Sequence, residues 1–187
     1  MKKKVRVETS ARHCHLSQKD LDKAFGKGYK LTFFKKLSQH SDFAAKETVT
    51  IENKGVKFDK VRIVGPTRNK RVVEVAMTDA RKLGLKPLVS VHGQKNDPLV
   101  TVIGPKGKTK VPLILKNRHV HMTNDDAKKL GVKEYQKIKL KIGGPRAAIL
   151  ENVVVRIDPL YKMSAHLDTD EANAVGIDGV GEGELII

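Results

Sequence analysis

With 187 residues and 20.7 kDa, the chain has room for one large domain or two small ones. Its 39% hydrophobic content, with five Phe, three Tyr and no Trp, excludes disorder for most of its length and favours aliphatic strand packing. The formal charge of +16 points to an anionic partner or, since the lysines are scattered singly, to a lysine-rich composition with no such partner, and 4% aromatics make a poor stacking platform for nucleic acid.

In chain order, alternating or apolar runs predict strands over Lys3–Glu8, Tyr29–Phe33, Thr48–Glu52, Val61–Val64, Arg71–Met77 and Leu88–Val91. They continue over Leu99–Ile103, Lys108–Leu115, Lys137–Ile142, Ala147–Ile157 and Glu184–Ile187, with turns at Gly104-Pro105 and Gly143-Gly144-Pro145. Four short segments between them read as capped helices: Ser17 to Gly26, Thr78 to Gly84, Thr123 to Gly131 and Asp168 to Gly176. Each opens on a side chain that can accept from first-turn amides and closes on glycine. Many short strands with tight turns argue for a mainly β protein built of barrels or sandwiches.

A longer repeat refines this. Arg12-His13-Cys14-His15-Leu16-Ser17 returns as Arg118-His119-Val120-His121-Met122-Thr123, each followed by a capped helix. Two matching strand-to-helix units imply two similar β-barrels with short capping helices. On a strand, residues i and i+2 share a face, so His13 and His15 become neighbours, as do His119 and His121. Cys14 then points the other way and is expected to be packing. Two imidazoles on one face are half of a site for zinc or a related metal, and the duplication favours that reading over ordinary surface histidines. His166, beside the fourth helix, can complete one set, and Glu47 is the upstream candidate for an anionic oxygen. His40 and His92 have no paired neighbour and are taken as non-ligands. Arg68, in the turn Gly65-Pro66-Thr67-Arg68, offers a planar guanidinium suited to phosphate.

These segments, together with Ala44-Ala45-Lys46-Glu47, Thr78-Asp79-Ala80 and above all His166-Leu167-Asp168-Thr169-Asp170-Glu171-Ala172-Asn173-Ala174, resemble the phosphate propanoyltransferase family, the zinc-dependent phosphotransacylases of the bacterial microcompartment type. The resemblance covers nearly the whole chain. It implies interconversion of a short-chain acyl-CoA, acetyl or propanoyl, plus inorganic phosphate with acyl phosphate plus coenzyme A. It also implies one barrel from residues 1–11 with 117–187, and a second from 12–116. Carried over by position, His13, His15 and Glu47 would hold one zinc, which also meets the coenzyme A sulfur. His119, His121 and His166 would hold a second, and Arg68 would bind phosphate. A homodimer or larger homo-oligomer is expected from the family.

Three features depart from the family pattern. Val91-His92-Gly93 stands where Asp-Ser-Gly is common, and Cys14 replaces a small aliphatic residue. The first strand begins within a few residues of Met1, with no amphipathic N-terminal extension. A free cytoplasmic enzyme is therefore expected, in keeping with a single cysteine and the lack of any apolar run suited to a signal peptide or membrane span. The rival expectation is a dinuclear metal-dependent hydrolase of thioesters or phosphoesters. Acyl-chain preference has no legible determinant, because one methylene is weakly discriminated.

Overall fold

The computed structural model describes residues 2–39, 42–91 and 94–187. In its first half the elements are β1 (Lys2–Ser10), β2 (His13–His15), α1 (Gln18–Phe25), β3 (Phe33–Lys36), β4 (Phe43–Asn53), β5 (Val56–Gly65), β6 (Val72–Val75), α2 (Met77–Lys82) and β7 (Val89–Ser90). There follow β8 (Leu99–Gly104), β9 (Gly107–Lys116), β10 (His119–Met122), α3 (Asn124–Leu130), β11 (Lys137–Ile142), β12 (Ala148–Ile157), β13 (Ser164–Asp168), α4 (Thr169–Val175) and β14 (Val180–Ile186). The protein is mainly β, and its strands form two six-stranded closed barrels with short helices, as expected. His40 and His92 lie outside the described residues.

Two compact units carry these barrels. One holds β1, Ser38, Gln39 and Asn117–Ile187; the other holds Arg12 to Leu37 and Asp42 to Lys116. In the first, the closed order is β1-β13-β10-β12-β11-β14. Its interior is aliphatic, filled by Val7, Val120, Met122, Leu140, Val153, Val155, Leu167 and Leu185. In the second, β4-β5-β2-β6-β9-β8 closes because β8 pairs with both β4 and β9, while β3 and β7 are appended at the edges. Here Cys14, Leu21, Ile51, Ile63, Val73, Val100 and Leu113 form the core. Cys14 is fully buried among them, and burial pushes its thiol up to about 12. It is a packing residue, as the alternation predicts.

Strand by strand, the second barrel repeats the first. The histidine strand pairs parallel with β5 and antiparallel with β6, just as β10 pairs parallel with β12 and antiparallel with β13. The next neighbour is again parallel, β9 beside β6 and β1 beside β13. Consequently Ser10-Ala11-Arg12-His13 and Lys116-Asn117-Arg118-His119 are equivalent junctions, each leading from a strand of one barrel into the histidine strand of the other unit.

Three helices have full capping boxes: Ser17 with Asp20, Thr123 with Asp126 and Asp168 with Glu171. The box satisfies first-turn amides, which in helices of seven or eight residues are a large share of all backbone donors. Helix α2 differs from expectation, since its N-cap is Ala76, without a side-chain cap, and Thr78 falls inside the helix. Gly131 and Gly176 take the left-handed C-terminal conformation, whereas Gly26 leaves α1 in another one. Gly104 is required for a different reason: a Cβ there would lie 2.5 Å from the Ala24 carbonyl oxygen, so α1 could not rest on the β8–β9 turn. The strand expected at Tyr29–Phe33 is displaced to Phe33–Lys36. Tyr29 instead packs on Phe25, and its carbonyl accepts from Gln18.

Candidate metal centres and active site

Antiparallel pairing sets residues directly opposite one another, and such neighbours share a face of the sheet. His119 on β10 faces His166 on β13, and two positions along, His121 faces Ser164. The three imidazoles of His119, His121 and His166 therefore converge. Their rings lie 4.7 to 5.1 Å apart, with His119 and His166 stacked at 9°. In the other barrel, His13 on β2 faces Glu74 on β6 and His15 shares its side. Among the described residues, these two trios bring one ligand atom per residue to within 4.8 Å of one another.

Glu47 is not brought to His13 and His15. It lies within β4 rather than before a strand, and its carboxylate accepts from the Tyr29 hydroxyl at 3.0 Å and from the Thr32 amide. The carboxylate that does reach the pair is Glu74, whose Oε2 is 3.6 Å from His13 Nε2. Glu74, rather than Glu47, is thus the carboxylate beside the histidine pair among the described residues. Sequence reasoning passed over it because Val72-Val73-Glu74-Val75 reads as an apolar strand, and all four residues are indeed buried. One signal was present. Glu74, Asp79 and Gly84 have the same spacing as His166, Glu171 and Gly176.

The chemistry of both donor sets fits a divalent metal. A carbonyl oxygen can only accept, so His15 Nδ1, 3.1 Å from Val64 O, carries the proton and leaves Nε2 as the free lone pair. His119 Nδ1 is fixed in the same way by Asn117 O at 2.8 Å. Burial, then the neighbouring His13, lowers His15 to about 3, so it is a neutral donor at physiological pH. Burial alone would push the Glu74 carboxyl up, but Lys116 and the two imidazoles outweigh it and hold the group well below the usual carboxylate range. His166 is steered by Ser164, whose Oγ lies 2.9 Å from Nε2 and accepts from Gln39.

Each histidine strand is also clasped to the helix that follows the third donor. The Arg12 guanidinium donates to both oxygens of Asp79 at 2.9 Å, and Arg118 donates to Glu171 at 2.8 Å. These pairs occupy equivalent places and fix the start of each His-x-His run. Arg68 is half-buried at the end of β2, where its amide bonds the Leu16 carbonyl and its side chain pairs with Asp42 at 2.8 Å. Its positive charge reaches His15, where it helps to keep the imidazole neutral. Tyr161 lies against His121 with ring centroids 4.1 Å apart.

The family profile described as phosphate propanoyltransferase matches residues 6–178. A phosphate propanoyltransferase of Priestia megaterium is 45% identical over 91% of this chain and 80% of its own length. Those of Thermotoga maritima and Enterococcus faecalis are 42% and 40% identical, covering 90% and 96% of this chain and 82% and 87% of theirs. The chain with these two barrels and paired histidine strands is an enzyme of phosphate acyl transfer, a phosphotransacylase. It belongs to the phosphate propanoyltransferase family. Among the described residues, no helix is long and apolar enough to cross a membrane.

Proposed function

We propose that the chain interconverts a short-chain acyl-CoA, acetyl or propanoyl, and inorganic phosphate with acyl phosphate and coenzyme A, using zinc at both donor sets. The reading rests chiefly on the two trios at equivalent cross-strand positions, His13, His15 and Glu74 in one barrel and His119, His121 and His166 in the other. Zinc bound there would supply Lewis acidity toward the thioester sulfur and a phosphate oxygen.

The protein's own groups divide the remaining work. Neutral His15, with its proton committed to Val64 O, presents a lone pair without first losing a proton. Arg68 is assigned to phosphate: its planar fork can exchange Asp42 for a phosphate and hold it by parallel hydrogen bonds. A phosphate oxygen then attacks the thioester carbonyl carbon, the C–O bond forms, the C–S bond breaks, and coenzyme A leaves as thiolate. The basic surface draws both polyanionic substrates. A cytoplasmic enzyme is consistent with a single, fully buried cysteine.

The test is thiol release from acetyl-CoA and propanoyl-CoA by zinc-loaded protein, with and without inorganic phosphate and after chelation. Phosphate-dependent release that chelation abolishes is expected. Phosphate-independent release would establish a hydrolase instead. Arg68→Ala should raise the KM for phosphate while metal content stays unchanged.

A further inference from the structure

The strand ladders of the two barrels correspond position by position, and the side chains around the third donor differ. Along the parallel ladders, Glu74 lies opposite Ile114 on β9, while His166 lies opposite Glu8 on β1. Two residues further along the same strands stand Lys116 and Ser10. Beside the carboxylate donor the position two residues along is a lysine; beside the imidazole donor it is a serine, and the residue directly opposite His166 is itself a carboxylate, Glu8. Lys116 Nζ donates to Glu74 Oε1 at 2.9 Å, leaving Oε2 as the oxygen that faces His13. Both side chains are largely enclosed, with 24% and 9% exposure.

Charge accounts for the pairing. Three imidazoles add nothing to the charge of a dication, so the donor set of His119, His121 and His166 would itself leave the full +2. Two imidazoles and a carboxylate would leave only +1. The ammonium of Lys116 restores the missing charge and occupies one carboxylate oxygen. We propose that Lys116 is a positioning residue that confines Glu74 to ligation through a single oxygen and restores the anion affinity of that centre. This inference rests on the two-metal reading above.

Lys116 is probed through metal-loaded protein rather than through turnover alone. Wild type, Lys116→Met and Lys116→Arg are loaded with cobalt, whose visible absorption weakens as coordination rises from four to five. Wild type should bind two cobalt ions per chain. Lys116→Met should still bind two, with weaker visible absorption as both Glu74 oxygens engage, and should bind coenzyme A about tenfold less tightly. Lys116→Arg should restore both properties. The melting temperature of each chelated variant establishes that the barrel is folded. Fewer than two ions in wild type would sink the two-metal reading itself. Two ions in wild type, with a spectrum and coenzyme A affinity unmoved by Lys116→Met, would overturn the role of Lys116. Loss of one metal from Lys116→Met would overturn it as well, since Lys116 would then be needed to hold the metal at all.

Discussion

The two barrels are the same device built twice, and their differences lie at the third donor. Strand order, pairing sense and register coincide, and so do the clasps Arg12–Asp79 and Arg118–Glu171. At the third donor the barrels part: Glu74 with Lys116 in one, His166 with Ser164 in the other. A duplicated scaffold has thus kept the positions of the donors while changing their chemical character.

The comparison is broken most severely by exchanging the donors. Glu74→His should weaken metal binding in that barrel by about 10- to 100-fold, because Lys116 would then face a dication with no carboxylate between them. Glu74→His with Lys116→Ser recreates the other barrel's set and should recover at least half of that loss on a logarithmic scale, as chelator competition would measure. Equal affinities for the single and double variants would show that Lys116 is electrostatically idle.

A smaller effect sharpens the comparison of the clasps. Asp79 is nearly enclosed and accepts two bonds from Arg12, whereas Glu171 is more open and accepts one from Arg118. Arg12→Ala should therefore cost about 2 kcal/mol and Arg118→Ala about 1 kcal/mol in denaturant unfolding. The reverse order would contradict the burial argument.

A pH dependence is also expected, in chelated protein. His15 is lowered from 6.5 to about 3, so between those values the unfolded chain takes up a proton that the folded chain refuses. Stability is then complete above about pH 6.5 and falls on acidification, by at most about 1.4 kcal/mol per pH unit. Glu74, also lowered, adds a loss in the same direction below its ordinary range. His15→Asn should flatten the slope of melting temperature between pH 7 and 5, and an unchanged slope would remove His15 as its source.

Much of this was legible in the sequence because local patterns carry it. The period-two strands, three of the four helix caps and the His-x-His faces depend on neighbours a few residues away. The mainly β class and the paired donor strands follow from them. What was illegible depends on register between distant strands. Glu74 reaches the histidine pair only because β2 and β6 pair with His13 opposite it, 61 positions away (74 − 13). Glu47 stood beside recognisable residues, yet tertiary packing commits it to Tyr29 and Thr32. Helix α2 was misplaced for a related reason: it is held by Arg12 and by core contacts at Ala80 rather than by an N-cap side chain.

The most direct test of the account is the metal content of purified wild type, Glu47→Gln and Glu74→Gln after zinc loading and gel filtration. The account predicts two, two and one zinc ions per chain, with the remaining ion of Glu74→Gln lost on His166→Ala. One zinc in Glu47→Gln and two in Glu74→Gln would contradict it.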